Sequence, residues 1–288
     1  MSGATGAERI RSRDDYVRFL ESYSNIISAF NGFRSLQSSG SYCSDLSKQS
    51  FGDIDIVVHF ESELSKKDLK LQLIKYLEGL PSDTIVEFTS EKYKGKRSYN
   101  SGEIVTVRYH DADLGYSVQI DNIIALSENE AEFKVSFLNM PAAKQGLILG
   151  LVKTALLEND AKGIFDILNI QIEPLNDNQE YEFNLSSSEL QLRKVTYIPN
   201  TFTQSDREVI WRSVDFDDVL SVLPQYNLNQ GFETLLNVAK YTIQHPRSFN
   251  RVRGVFSSMI SVKSGEKNTP KGNEKLHSLM LVEEAFLP

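Results

Sequence analysis

One cysteine, Cys43, stands in 288 residues. That excludes an intramolecular disulfide and makes a reducing compartment the simpler setting. Four scattered histidines (His59, His110, His245 and His277) and that lone cysteine offer no spacing for a structural zinc site. Long apolar runs are missing as well. The stretch Leu147-Ile148-Leu149-Gly150-Leu151-Val152 is stopped by Lys153, far short of the ~20 residues that span a bilayer. The start, Met1-Ser2-Gly3-Ala4-Thr5-Gly6, lacks the basic residues and apolar run of a secretory signal. A cytoplasmic protein with no membrane partner is the expectation. There is no Gly-x-x-x-x-Gly-Lys-Ser/Thr loop, no Gly-x-Gly-x-x-Gly turn and no Gly-x-Ser-x-Gly elbow. Nothing therefore points to a P-loop, a dinucleotide fold or an α/β-hydrolase. Internal repeats and heptads are absent too.

What is present is an ordinary globular balance, 40% hydrophobic and 24% charged, enough for one large or two ordinary domains. A net charge of −8 argues against blanket attraction to nucleic acid. The charge is uneven, however. Lys240, Arg247, Arg251, Arg253, Lys263, Lys267, Lys271 and Lys275 are opposed only by Glu266 and Glu274. Such a segment can meet a phosphate-bearing ligand, or it can be a solvated face.

The most informative stretch is Ser39-Gly40-Ser41 followed, after eleven intervening residues, by Asp53-Ile54-Asp55-Ile56-Val57-Val58. Side chains alternate along a strand, so Asp53, Asp55, Val57 and His59 share one face. Ile54, Ile56, Val58 and Phe60 share the other and can dock on a core. Paired carboxylates suit a hard divalent cation; alternatively they are the wet side of an edge strand. Cys43, inside the turn, has no basic neighbour in sequence, so a small half-buried loop residue is the simpler reading than a nucleophile.

These residues resemble the signature of the DNA polymerase β nucleotidyltransferase superfamily: Gly-Ser, about ten residues, Asp-x-Asp on a strand, and a third carboxylate on a later strand. The resemblance covers roughly residues 35–125. It implies that Gly40 and Ser41 contact a nucleoside triphosphate and that Asp53 and Asp55 bind Mg²⁺, two ions in all, with Mn²⁺ a possible substitute. In Val118-Gln119-Ile120-Asp121, the last residue shares a face with Gln119 and is the preferred third acid. Asp111 and Asp113, in a His-Asp-Ala-Asp-Leu-Gly turn, are its competitors. Lys153 follows an apolar helical run and is a candidate phosphate ligand, or else a lysine laying its stem along apolar surface.

Periodicity supplies the remaining expectations. An amphipathic helix spans Arg13 to Phe33, and a second, capped by Ser65, runs to Leu80. Strands cover 84–88, 104–109 and 116–121, with 92–102 an exposed turn. The fold class is α+β: a small mixed-sheet nucleotidyltransferase domain over 1–138, then a mainly helical C-terminal domain over 139–288. That second domain would hold helices at 142–158, 207–211, 214–223, 230–244, 249–262 and 275–286. The resemblance implies transfer of a nucleoside monophosphate to an acceptor hydroxyl, with an RNA 3′ end favoured by the basic segment. Small-molecule or protein acceptors remain open, as does a non-catalytic nucleotide-binding role.

Overall fold

The computed structural model describes residues 5–140, 149, 152, 161–201 and 203–222. The chain divides into two compact units, Met1–Pro141 and Ala142–Pro288.

The first unit opens with α1 (Arg13–Ile27), whose start is fixed by Ser12 accepting a hydrogen bond from the Asp15 N–H at 3.0 Å. Asp14 and Asp15 sit favourably in its first turn. Tyr16, Phe19, Tyr23 and Ile27 recur at helical spacing and are buried. The helix ends at Ile27 rather than at Phe33. The reason is tertiary: Phe33 is needed as the first residue of strand β1 (Phe33–Ser39), where it pairs with Phe60. That strand was not legible, because Phe-Arg-Ser-Leu-Gln-Ser-Ser carries little apolar alternation.

A single helical turn, α2 (Ser41–Ser44), leads to β2 (Ile54–Phe60). Helix α3 (Lys66–Glu78) is capped by Ser65 and buries Leu69, Leu73 and Leu77. Strands β3 (Ser98–Ser101), β4 (Ile104–Asp111) and β5 (Tyr116–Ala125) follow, then α4 (Glu128–Leu138). The sheet order is β1-β2-β5-β4-β3, with β2 and β5 parallel and the other pairs antiparallel. The unit is α+β.

Two expectations fail around β4. Residues 84–88 do not form a strand; Ile85 makes an isolated bridge to Tyr109, supported by Val86 N–H to the Arg108 carbonyl at 2.9 Å. The first half of the same β4 edge is taken by Ser98–Ser101, a strand inside the segment read as an exposed turn. Its Ser-Tyr-Asn-Ser sequence offers no apolar pattern, and pairing with β4 defines it.

One face of the sheet carries Ile54, Ile56, Val58, Val105, Val107, Val118, Ile120 and Ile124, packed with buried residues of α1 and α3. The opposite face takes α4. There α4 packs Ala131, Val135 and Leu138 on Val57, Ile123 and Ala125, which leaves Asp55 and Asp121 at the margin of that patch. A charged cluster anchors α4: the Lys134 side chain is fully buried and pairs with Glu103 and Glu130, and Lys66 pairs with the same two acids.

The described part of the second unit contains α5 (Ala161–Ile167), strands β6 (Gln179–Leu185), β7 (Leu190–Tyr197) and β8 (Gln204–Ser213), and α6 (Phe216–Val222). The three strands form an antiparallel sheet in the order β6-β7-β8. Residues 207–211 are thus strand, not helix. This edge strand is largely exposed, so neither alternation nor a helical stripe marks it, and pairing with β7 decides its conformation. The helices read at 142–158, 230–244, 249–262 and 275–286 lie wholly or mostly outside the described residues. Among the described residues no helix is long and apolar enough to cross a membrane.

Candidate active site

Strand pairing brings distant acids together. Asp55 on β2 and Asp121 on β5 are direct partners across the parallel ladder, so both project from the same sheet face. Asp53 lies just before the first residue of β2 rather than within it. Ile54, Ile56 and Val58 of β2 and Val118, Ile120 and Ile124 of β5 face the core, which puts Asp55 and Asp121 on the other side. Asp111 and Asp113 are elsewhere. Asp111 accepts from the backbone N–H groups of Asp113 and Leu114, each at 3.0 Å, and so ties the β4–β5 turn. Burial would raise its carboxyl, but those bonds and Ser22 hold it below the usual range.

The three acids are electrostatically expensive. Burial pushes Asp55 up to about 8, with the charges of Asp53 and Asp121 adding to the rise. Asp121 is raised to about 6 by burial, against hydrogen bonds from Thr106 and Gln119, with Asp53 adding to the rise. Asp53 is raised by burial, while Lys48 and Arg9 oppose the rise. Half-buried carboxylates with too little positive charge around them are the donor set a hard divalent cation stabilises. Among the described residues no three His, Cys, Asp or Glu side chains are drawn together into a ligand set. Mg²⁺ does not need one, since one or two carboxylates, waters and substrate phosphates ordinarily hold it.

The Gly40-Ser41 turn abuts these acids. Gly40 has φ 72° and ψ −148°, a conformation L side chains rarely adopt. A Cβ built on it would overlap the Asp55 carboxylate. Ser41 accepts a hydrogen bond from the Lys48 ammonium. Ser39 is buried and its hydroxyl lies 3.4 Å from the Asp55 carbonyl. Cys43 donates to the Ser38 carbonyl, and burial raises its thiol pKa, the environment of a packed residue rather than a reactive thiolate.

Three residues missed in the sequence shape the site. Lys48 joins the turn to the acids. Arg13 donates to the carbonyls of Tyr42 at 2.9 Å, Asp45 at 3.4 Å and Lys48 at 3.3 Å, and its guanidinium lies 4.2 Å from the Tyr42 ring centre. Tyr42 in turn stacks on Tyr16 with ring centres 3.9 Å apart. Thr106 donates to Asp121 at 2.6 Å. Only register across β4 and β5 reveals that hydrogen bond, and nothing in the local sequence signals it. Lys153 lies outside the described residues, as does the basic segment 240–275.

No protein-family model matches the chain, and no curated protein matches it with significance.

Proposed function

We propose that the protein is a metal-dependent nucleotidyltransferase, moving a nucleoside monophosphate from a nucleoside triphosphate to an acceptor hydroxyl. The observation that carries this reading is the pairing of Asp55 with Asp121 on parallel strands, with Gly40 pressed against Asp55. Asp53, Asp55 and Asp121 would hold Mg²⁺, which when bound supplies charge neutralisation at the triphosphate and lowers the pKa of a coordinated hydroxyl. Gly40, lacking a Cβ, lets the chain approach phosphate oxygens, and Ser41 and Lys48 supply a hydroxyl and a positive charge beside them. The acceptor oxygen forms a bond to the α-phosphorus, the α–β phosphoanhydride bond breaks, and pyrophosphate leaves. Asp121, beside the acceptor, takes the proton of the acceptor hydroxyl. The acceptor is RNA, a reading supported by the net basic segment 240–275. A mainly helical remainder of the second unit and a cytoplasmic setting, suggested by the single cysteine, belong to the same reading.

The test is incubation with labelled nucleoside triphosphates, Mg²⁺ and total RNA, beside Asp53→Asn and Asp55→Asn. Label on RNA with wild type, and at least a hundredfold less with either variant, is expected, since such charge stabilisation is worth roughly 10²–10³ in rate. Label on a small molecule or on protein would move the acceptor; no label anywhere, or full activity in both variants, would refute transfer.

A further inference from the structure

The row of paired residues through the site does not stop at the carboxylates. Asp121 pairs with Thr106 on β4, and Thr106 pairs with Tyr99 on the edge strand β3. Directly paired residues project to the same side of a sheet, and the Thr106–Asp121 hydrogen bond fixes which side that is. Tyr99 therefore stands on the carboxylate face, two strands from Asp121, or about 10 Å at ordinary strand spacing.

Tyr99 is not alone there. The Tyr93 ring lies against it with centres 4.3 Å apart and planes at 41°. Both rings are only half-buried. The Lys92 and Lys96 ammonium groups lie 5.0 and 5.8 Å from the Tyr93 ring centre, and Lys92, Lys94 and Lys96 are exposed. Between residues 90 and 100 the only acid is Glu91. The loop is firmly held: Arg97 donates to the carbonyls of Ile85, Glu78, Leu80 and Pro81. Farther along β4, Arg108 brings a guanidinium to the same face, in register with Gln119. Every nucleobase has a π-face, and a ring platform with flanking cations is how sequence-tolerant single-strand binding is built.

We propose that Tyr93 and Tyr99, with Lys92, Lys94 and Lys96, bind single-stranded RNA, stacking a base of the acceptor strand while the lysines meet its phosphates. This rests on the reading of the acceptor as RNA.

The test is binding of a labelled single-stranded RNA of mixed sequence, followed by fluorescence anisotropy against salt, with neither nucleotide nor Mg²⁺ present. Tyr99→Ala should weaken binding roughly tenfold, the loss of one stacked base, and Tyr99→Phe should restore it. Lys92→Ala with Lys96→Ala should flatten the dependence of log affinity on log salt by about 0.7 for each phosphate no longer neutralised. Melting temperatures near wild type would show that these substitutions leave the fold alone. Wild-type affinity and slope in Tyr99→Ala and in the lysine pair would overturn the proposal, as would absence of RNA binding by the wild type. The transfer assay is read separately. Transfer to another acceptor without RNA binding overturns this surface and spares the transferase reading. Tyr99-dependent RNA binding without any transfer does the reverse.

Discussion

Gly40 has no side chain where the Asp55 carboxylate lies. The two residues belong to adjoining segments of the β1–β2 edge, and the fit sets how close the turn comes to the acid. Gly40→Ala must both displace Asp55 and adopt a backbone region that costs about 1–3 kcal/mol for a residue with a Cβ. We expect a stability loss of that size in urea unfolding. We also expect loss of any thermal shift from nucleoside triphosphate with Mg²⁺. An unchanged shift would mean that the turn does not shape the binding site.

The raised carboxyls fix the sign of a pH effect. Asp55 and Asp121 have native pKa values of about 8 and about 6 against an ordinary 3.8. The native state therefore holds protons that the unfolded chain has released. Stability from this source is fully present below about pH 4 and is lost as pH rises toward about 8. In EDTA, Asp55→Asn should melt higher than wild type at pH 8, and the gap should close toward pH 4. A gap that widens on acidification would contradict the electrostatics described.

On the proposed reading, Arg13 positions the turn that meets the nucleotide. Its planar fork reaches carbonyls of three residues in the segment after Gly40 while lying over Tyr42. Lysine cannot reproduce that geometry. Arg13→Lys should raise KM for the nucleoside triphosphate several-fold and leave kcat nearly unchanged. A fall in kcat at constant KM would place its effect on the chemical step instead.

A matching control lies on the other face of β5. Tyr23 donates to Asn122 Oδ1 at 3.1 Å, and Asn122 Nδ2 donates to the Val105 carbonyl at 2.9 Å, all within the core. Tyr23→Phe leaves a buried acceptor without its donor, a cost of about 1–3 kcal/mol. Urea unfolding should register that loss while transfer at low temperature persists. Loss of transfer in a fully folded Tyr23→Phe protein would mean the two faces of β5 are coupled.

The placement of Asp55 and Asp121 was legible because its rules are local. Ser12 and Ser65 announce helix starts, and Ile54, Ile56 and Val58 decide which side of β2 its acid occupies. The neighbour of Asp55 followed from the same alternation at 118–121. What stayed hidden depends on partners. Strands β1, β3 and β8 are polar or mixed and exist through their ladders. Lys48 and Arg13 join the site through a loop whose path no periodicity encodes. Residues 84–88 have strand composition but find only part of an edge, because β3 occupies the rest.

The parallel joint between β2 and β5 also bears on how the chain brings its acids together. The strands on either side of it are assembled from neighbours: β1 with β2, and β4 with β5 through a tight turn. Each half can zip locally, whereas joining them closes a long loop, a slow and late event. Asp55 and Asp121 face each other across that seam. A nascent chain emerging from the ribosome thus carries only one of the facing acids until β5 has been made and docked. The facing pair of acids then arrives only with native topology, and a chain arrested in a half-zipped state lacks it.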